Sequence, residues 1–199
     1  RGLGDVYKRQ VTRYVLIYPR ISFRLISDGK VLISSPAVMD PLEKILHIYG
    51  RKVAKSMIRV EHEEGGVRVS GFISKPDVNR GTRNHMNVYV NKRPVVNDVL
   101  YRAIIDAYGP TLSKRRFPIC VLNLEVDPTR VDVNVHPTKR EVRFDNPDFI
   151  YRVVREAIRA TLFSEQFKQI PEETTFITPS IPEREYKRFM EVKRRVSLA

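Results

Sequence analysis

Val131-Asp132-Val133-Asn134-Val135-His136-Pro137-Thr138-Lys139-Arg140-Glu141-Val142-Arg143-Phe144 is the stretch on which the reading of this chain turns. From Val131 to Val135 apolar and polar residues alternate strictly, which predicts a half-buried strand. His136-Pro137 ends it, because Pro137 has no N–H to give to a ladder. Glu141 to Phe144 predicts a short strand able to pair with a neighbour. Lys139 stands between the two on a flexible four-carbon stem. An ammonium on a loop anchored by two strands can reach a phosphate presented from outside the domain. A turn lysine with nothing to reach is simply solvated, and spacing alone does not separate the two.

Working outward, Asp148 to Phe167 carries Ile150, Val153, Val154, Ala157, Ile158 and Leu162 at helical spacing. After Gln169 the run IPEETTFITPSIP has three prolines, three threonines and no period, so it reads as linker. Beyond it, Glu183 to Val196 is compatible with a short charged helix. Upstream, Phe117 to Val126 predicts one long apolar strand. Asn97 can cap a helix to about Tyr108, with Val99, Leu100, Ala103, Ile104 and Ala107 inward, and Gly109-Pro110 ends it. Asn87 to Asn91 predicts a strand, with Lys92-Arg93-Pro94 turning out of it. Residues 75–85 read as a polar loop. Met57 to Glu63 and Val67 to Ser74 predict a hairpin around Glu64-Gly65-Gly66. Asp40-Pro41 caps a helix with Leu42, Ile45, Leu46 and Ile48 on one side, and a short helix over Arg51 to Ser56 can follow. Ile21 to Ile26 and Val31 to Ser34 form a second hairpin about Asp28-Gly29. Val11 to Tyr18 reads as the end of a helix. Residues 1–10 show no clear amphipathic period and are expected to be non-native. Strands with interspersed helices and hairpins predict an α+β fold, a two-layer sandwich.

The 199 residues include 36 Lys+Arg against 23 Asp+Glu, a net charge of +13. Between Val11 and Ile170 there are 27 basic and 17 acidic residues, so +10 of that charge sits in the expected domain. Such a balance suits polyanionic partners. One cysteine, Cys120, excludes a disulfide framework, and its apolar surroundings read as core. No apolar stretch approaches the roughly 18 residues of a membrane span, and a reducing intracellular compartment is the expectation. His47, His62 and His85 have no paired ligand spacing, so no metal site is expected. Arg80, Arg83, Lys92 and Arg93 gather around one loop and turn, Lys114, Arg115 and Arg116 form a second group, and Arg102 lies on the helix between them. These eight are the candidate nucleic-acid contacts. A solvated basic face is the plain alternative.

DVNVHPTKREVRF resembles the signature of the MutL family of DNA mismatch-repair proteins. Thr12-Arg13-Tyr14 with Ser22-Phe23, Gly71-Phe72-Ile73 with Pro76, and Tyr89-Val90-Asn91-Lys92-Arg93-Pro94-Val95 occur in the family's order and spacing. The resemblance covers roughly residues 11–165. It implies a domain with the fold of the second domain of the fifth small-subunit ribosomal protein, over residues 11–170, with 171–199 as linker. In the family this domain follows a GHKL-type ATP-binding domain. The lysine after H-P-[AT] there reaches the γ-phosphate of ATP. That role falls on Lys139, with Thr138 beside it and with His136 and Pro137 shaping the loop.

The resemblance further implies ATP with Mg²⁺ as cofactor, held mainly by a preceding domain. No Asn-bearing helix and no D-x-G-x-G of the family's ATP site occurs in this sequence, so the fragment alone is not expected to hydrolyse ATP. The full-length protein is expected to be an ATPase; many members also carry a metal-dependent nuclease site in a C-terminal domain, and nothing in this sequence resembles its D-x-H-A-x-x-E-R-x-x-x-E pattern. Implied partners are duplex DNA, with single-stranded DNA as a second form, a MutS-type mismatch recognition protein, and a second subunit in a dimer. A cytoplasmic or nucleoid location follows if the source is prokaryotic. Two alternatives remain at this level. One is the transducer domain of a type II topoisomerase B subunit, which typically carries Q-T-K where this chain has H-P-T-K. The other is a free-standing ribosomal-type RNA-binding module.

Overall fold

The computed structural model describes residues 3–132 and 141–168. The stretch set apart at the N-terminus is helical from Leu3. The first helix, α1, runs Leu3–Ile17; its residues 5–10 are exposed, whereas Val15 and Leu16 are buried. Burial therefore begins only in the second half of the helix. The strands β1 (Phe23–Ser27) and β2 (Lys30–Ser35) pair as the expected hairpin. Asp28 and Gly29 supply its positive φ angles, 51° and 70°.

The next helix, α2 (Pro41–Tyr49), is capped as its sequence requires: the Asp40 side chain accepts from the Leu42 N–H at 2.9 Å. Its inward face differs from the expected one. Leu46 is 40% exposed, and Lys44 is fully buried in its place. The Lys44 ammonium donates to the Ile21 carbonyl (2.8 Å), the Ser35 hydroxyl (3.1 Å) and the Pro36 carbonyl. Three acceptors at the end of a hairpin make a site that a leucine would leave unsatisfied. A one-turn helix, α3 (Arg51–Lys55), follows.

β3 (Met57–Glu64) and β4 (Val67–Ser74) form the long hairpin, in register from Met57↔Ser74 to Glu64↔Val67. The loop over 75–85 is not wholly irregular. It contains β5 (Asn79–Arg80) and a 3₁₀ turn, Arg83–His85. β6 (Met86–Val90) is buried along its whole length. Asn91 and Lys92, at φ 50° and 64°, make a two-residue turn into β7 (Arg93–Val95). Arg93 and Pro94 are thus edge-strand residues rather than part of the turn; an edge tolerates Pro94 because no further strand asks for its N–H. Helix α4 is Asp98–Tyr108. Val99 is only partly buried, while Tyr101 and Tyr108 join Leu100, Ala103, Ile104 and Ala107 inside. The strand expected over Phe117–Val126 is two: β8 (Phe117–Pro118) pairs with β5, and β9 (Cys120–Glu125) enters the main sheet. β10 (Val131–Asp132) and β11 (Arg143–Phe144) pair, and α5 runs Pro147–Lys168.

The main sheet has the order β3-β4-β9-β6-β7, with β6 and β9 parallel and the other neighbours antiparallel. At Gly71 (φ 136°) β4 lies so close to β9 that a Cβ would collide with the Val121 carbonyl. One face carries Val67, Val69, Val88 and Leu122 against α4 and α5 residues such as Leu100, Ile104, Val153 and Val154. This is the two-layer α+β arrangement the sequence predicts. The other face is covered as well: Phe72, Tyr89 and Val121 pack with Leu16 of α1, Ile45 of α2 and Val53 of α3. Central strands with both faces covered are mostly apolar, so β6 and β9 lack alternation; their buried asparagines are hydrogen-bonded, Asn87 donating to the Tyr49 hydroxyl and Asn123 accepting from the Lys92 N–H.

Candidate nucleic-acid interface and the base of the lysine loop

Thr138, Lys139, His136 and Pro137 lie outside the described residues. The base of their loop does not. Val131 pairs with Phe144 and Asp132 with Arg143. The Asp145 N–H donates to the Arg130 carbonyl at 3.2 Å. Asn97 joins this base to α4: its Oδ1 accepts from the Leu100 N–H (3.1 Å) while its Nδ2 donates to the Val142 carbonyl (2.9 Å). Asn91 holds the approach to the loop in the same manner. Its Nδ2 donates to the Val126 carbonyl at 2.9 Å, and its Oδ1 accepts the Val126 N–H at 3.0 Å. Each side chain makes one bond as an acceptor and one as a donor: Asn97 links the start of α4 to Val142, and Asn91 links the β6–β7 turn to Val126.

The eight candidate cations occupy three places. Arg80 pairs with Phe117 across β5 and β8, and Arg116 reaches toward Gly81 in the same turn. The Arg83 guanidinium lies 5.5 Å from the Phe117 ring centroid and 6.0 Å from that of Tyr101, and it forms an ion pair with Asp98 at 3.6 Å. Lys114 and Arg115 are exposed on the turn that leads into β8. Segments separated by about thirty residues are thereby gathered around one phenylalanine. Lys92 and Arg93 sit at the edge hairpin of β6 and β7. Arg102 stands apart: it covers the Tyr151 ring of α5 at 5.4 Å, and the Tyr151 hydroxyl donates to Asp106 at 2.7 Å. Its helical position turns it toward α5, away from the Phe117 group. Among the described residues, ion pairs occupy Arg68, Lys75, Arg152 and Arg155, and of the eight candidates only Arg83 is held in that way.

Sequence reasoning missed Arg13 and overlooked His85 as a lining residue. Both border a cleft of about 680 Å³ that Arg93 also lines. Arg13 is distant in sequence from the other two, so no local spacing points to it. His85 is held below its ordinary pKa, first by burial and then by the charge of Arg80. Burial pushes Tyr49, which accepts a hydrogen bond from Asn87 Nδ2 at 2.8 Å, up to about 12. Among the described residues no group of three or more His, Cys, Asp or Glu side chains gathers to hold a metal. Cys120 is fully buried, with its thiol pushed up to about 12 by desolvation. No helix among the described residues is long and apolar enough to cross a membrane.

Comparison with known proteins places this geometry. Residues 45–163 match the family model for the C-terminal domain of DNA mismatch repair proteins. DNA mismatch repair protein MutL of Opitutus terrae is 43% identical over 153 residues, 75% of this chain and 24% of that protein. MutL of Halothermothrix orenii is 39% identical over 152 residues, 76% of this chain and 24% of that protein. The chain thus spans about a quarter of the length of the curated relatives it matches. The crystal structure of the N-terminal domain of a DNA repair protein superposes with a TM-score of 0.67 at 22% identity, over 80% of this chain and 53% of that one. A single-substitution form of the Aquifex aeolicus MutL ATPase domain gives 0.51 at 19% identity, over 79% of this chain and 54% of that one. These two likenesses concern the fold, whereas the family match spans more than half of the chain, both strands at the lysine-loop base included: the chain belongs to the MutL family of DNA mismatch repair proteins.

Proposed function

We propose that this chain is the part of a mismatch repair protein that holds DNA by its phosphates and extends Lys139 to the γ-phosphate of ATP bound on a preceding domain. Family membership displaces the topoisomerase and ribosomal-type alternatives. The observation that carries the DNA reading is the gathering of Arg80, Arg83 and Arg116 about Phe117, with Lys114 and Arg115 on the adjoining turn. Such a group of cations, with one carboxylate among them, attracts a polyanion and releases its counterions, without reading sequence. Arg102, turned to α5, contributes less than the other seven.

The lysine reading is supported by the tied loop base. A side chain that must find one phosphate oxygen needs its anchor points held, and Asn97, Asn91 and the β10–β11 ladder hold them. In this reading Mg²⁺ is held by the preceding domain together with ATP. Lys139 would stabilise charge developing on the transferred phosphoryl group. Its partners in repair, a mismatch-recognition protein and a second subunit, belong to the same proposal.

Titrating a fluorescent duplex and following its anisotropy tests the DNA reading. A Kd on the order of 10⁻⁴ to 10⁻⁶ M at physiological salt is expected, weakening steeply as salt rises. Arg80→Gln with Arg116→Gln should lower the salt slope by about two. Binding indifferent to salt, or requiring one base sequence, would overturn it. For the lysine, Lys139→Ala in the complete protein should reduce ATP hydrolysis at least about tenfold with the melting temperature unchanged; an undiminished rate removes Lys139 from the site.

A further inference from the structure

Between Lys44 and Val60 the chain carries no Asp or Glu. Lys44 is buried, but Arg51, Lys52, Lys55 and Arg59 are exposed. Among the described residues no ion pair engages any of these four. The first three belong to α3, whose apolar residues Val53 and Ala54 are turned into the core. Arg59 stands on β3 directly opposite Phe72, a member of the apolar cluster that Val53 joins, so it lies on the face of the sheet that α3 covers. α3 also lies along the loop that carries Arg80. At one end the Ser56 carbonyl accepts from the Lys75 N–H at 2.9 Å. In the middle, Val53 and Val78 are buried in one cluster. At the other end the Tyr49 ring lies 5.5 Å from that of His85, and the charge of Arg80 acts on its phenol. Two segments that cover one core side by side leave their outer sides facing solvent together. From Lys75 to Arg80 is five residues, at most about 18 Å even when fully extended. Asp77, which is exposed, is the one carboxylate of the 75–85 loop.

We infer that the outer side of α3 and the start of β3 form a second stretch of the duplex-binding surface, continuous with the Phe117 cations, on which Arg51, Lys52, Lys55 and Arg59 hold backbone phosphates. This rests on the DNA reading above and extends it to elements outside the eight candidate residues. A duplex presents a phosphate for about every 1.7 Å of its axis, so one duplex reaches both groups. Exposed lysines on long stems follow a phosphate backbone without demanding one fixed geometry. A folded protein partner would need an apolar or aromatic anchor. α3 offers none, because Val53 and Ala54 are inside. An acidic protein segment is the other occupant such a charge could hold, and the test separates it.

The test is duplex anisotropy with the 199-residue chain, repeated across a salt series. Lys52→Gln with Lys55→Gln should weaken binding at least about tenfold near 0.1 M salt and lower the salt slope by about two, with the melting temperature unchanged. Lys52→Arg with Lys55→Arg should keep both affinity and slope, because the charge is kept. Arg152→Gln with Arg159→Gln removes the same charge from α5, which packs on the opposite face of the sheet. That pair should change affinity less than about threefold, as loss of distant, screened charge does. An α3 variant that binds no worse than the α5 variant would overturn the proposal, since net charge alone would then account for the effect. A poly-glutamate peptide that binds as tightly as the duplex, and is lost in the α3 variant, would also overturn it and give the face to an acidic protein segment. Arg80→Gln with Arg116→Gln keeps the two readings apart. If that pair weakens binding and the α3 pair does not, only the α3 surface falls. If the α3 pair alone weakens it, only the Phe117 reading falls. No duplex binding by the parent chain overturns both.

Discussion

Cys120, Tyr89, Tyr101 and Tyr108 are buried as neutral groups, and Tyr49 is half-buried. The thiol and the Tyr49 phenol are pushed up to about 12, and Tyr89, Tyr101 and Tyr108 are raised as well, in each case chiefly by desolvation. In the unfolded chain the thiol ionises near 9.0 and the phenols near 10.0. Above those values the unfolded state holds fewer protons than the native one, so stability falls as pH rises. Lys44 acts in the opposite sense. Burial lowers its pKa below 10.5, so the native state loses that proton first, and stability gains between the lowered value and 10.5. Five groups against one leave a net loss. The melting temperature should drop from about pH 10 to about pH 11, where the phenols of the unfolded chain ionise, with up to about 1.4 kcal/mol of stability lost per pH unit for each group that ionises on unfolding. Thermal melts across that range check it, and a flat profile would mean that water reaches these groups in the native state. The core role of Cys120 is legible from its apolar neighbours. The burial of Lys44 is not, because its three acceptors come from 21, 35 and 36, which only folding brings together.

Among the elements, α4 ties the loop base to the sheet through Asn97. Asn97→Asp keeps the acceptor that caps the helix and removes the donor to Val142, whereas Asn97→Ala removes both. Urea denaturation should show a loss of about 1–2 kcal/mol for the alanine variant and a smaller loss for aspartate. Equal losses would assign the whole effect to the Val142 bond; an aspartate variant as stable as the parent would assign it to the cap. The caps themselves are visible in the sequence, since Asp40 and Asn97 carry the side chains a helix start demands. So are the tight hairpins at Asp28-Gly29 and Gly65-Gly66, whose residues accept positive φ. The break between β8 and β9 is not visible. Phe117 to Leu122 is evenly apolar, and the break arises because Phe117 and Pro118 pair with Asn79 and Arg80, a partner no local pattern reveals.

Across the whole molecule, the net charge of +13 points to a polyanion but does not say where one would lie. The sheet order divides the cations. Arg80 and Arg116 meet because β5 pairs with β8, and Arg83 stands beside them on the Phe117 ring. Arg13 of α1 and Arg93 of β7 line one cleft, and the Tyr89 hydroxyl of β6 holds α1 by its bond to the Arg13 carbonyl. Arg102 is drawn away by Tyr151. By itself, the sequence determined the α+β class, the helix caps, the tight turns, the buried thiol and, through the Val131–Phe144 string with three shorter blocks, the family. These are properties of neighbouring residues, written in alternation, capping chemistry and backbone preference. The tertiary structure alone decided the second covered face of the sheet, the buried Lys44, the three-way division of the cations and the cleft between Arg13, His85 and Arg93. Each of those depends on contacts between segments far apart in the chain, and a linear pattern carries no record of which distant side chains the packing of the sheet will set side by side.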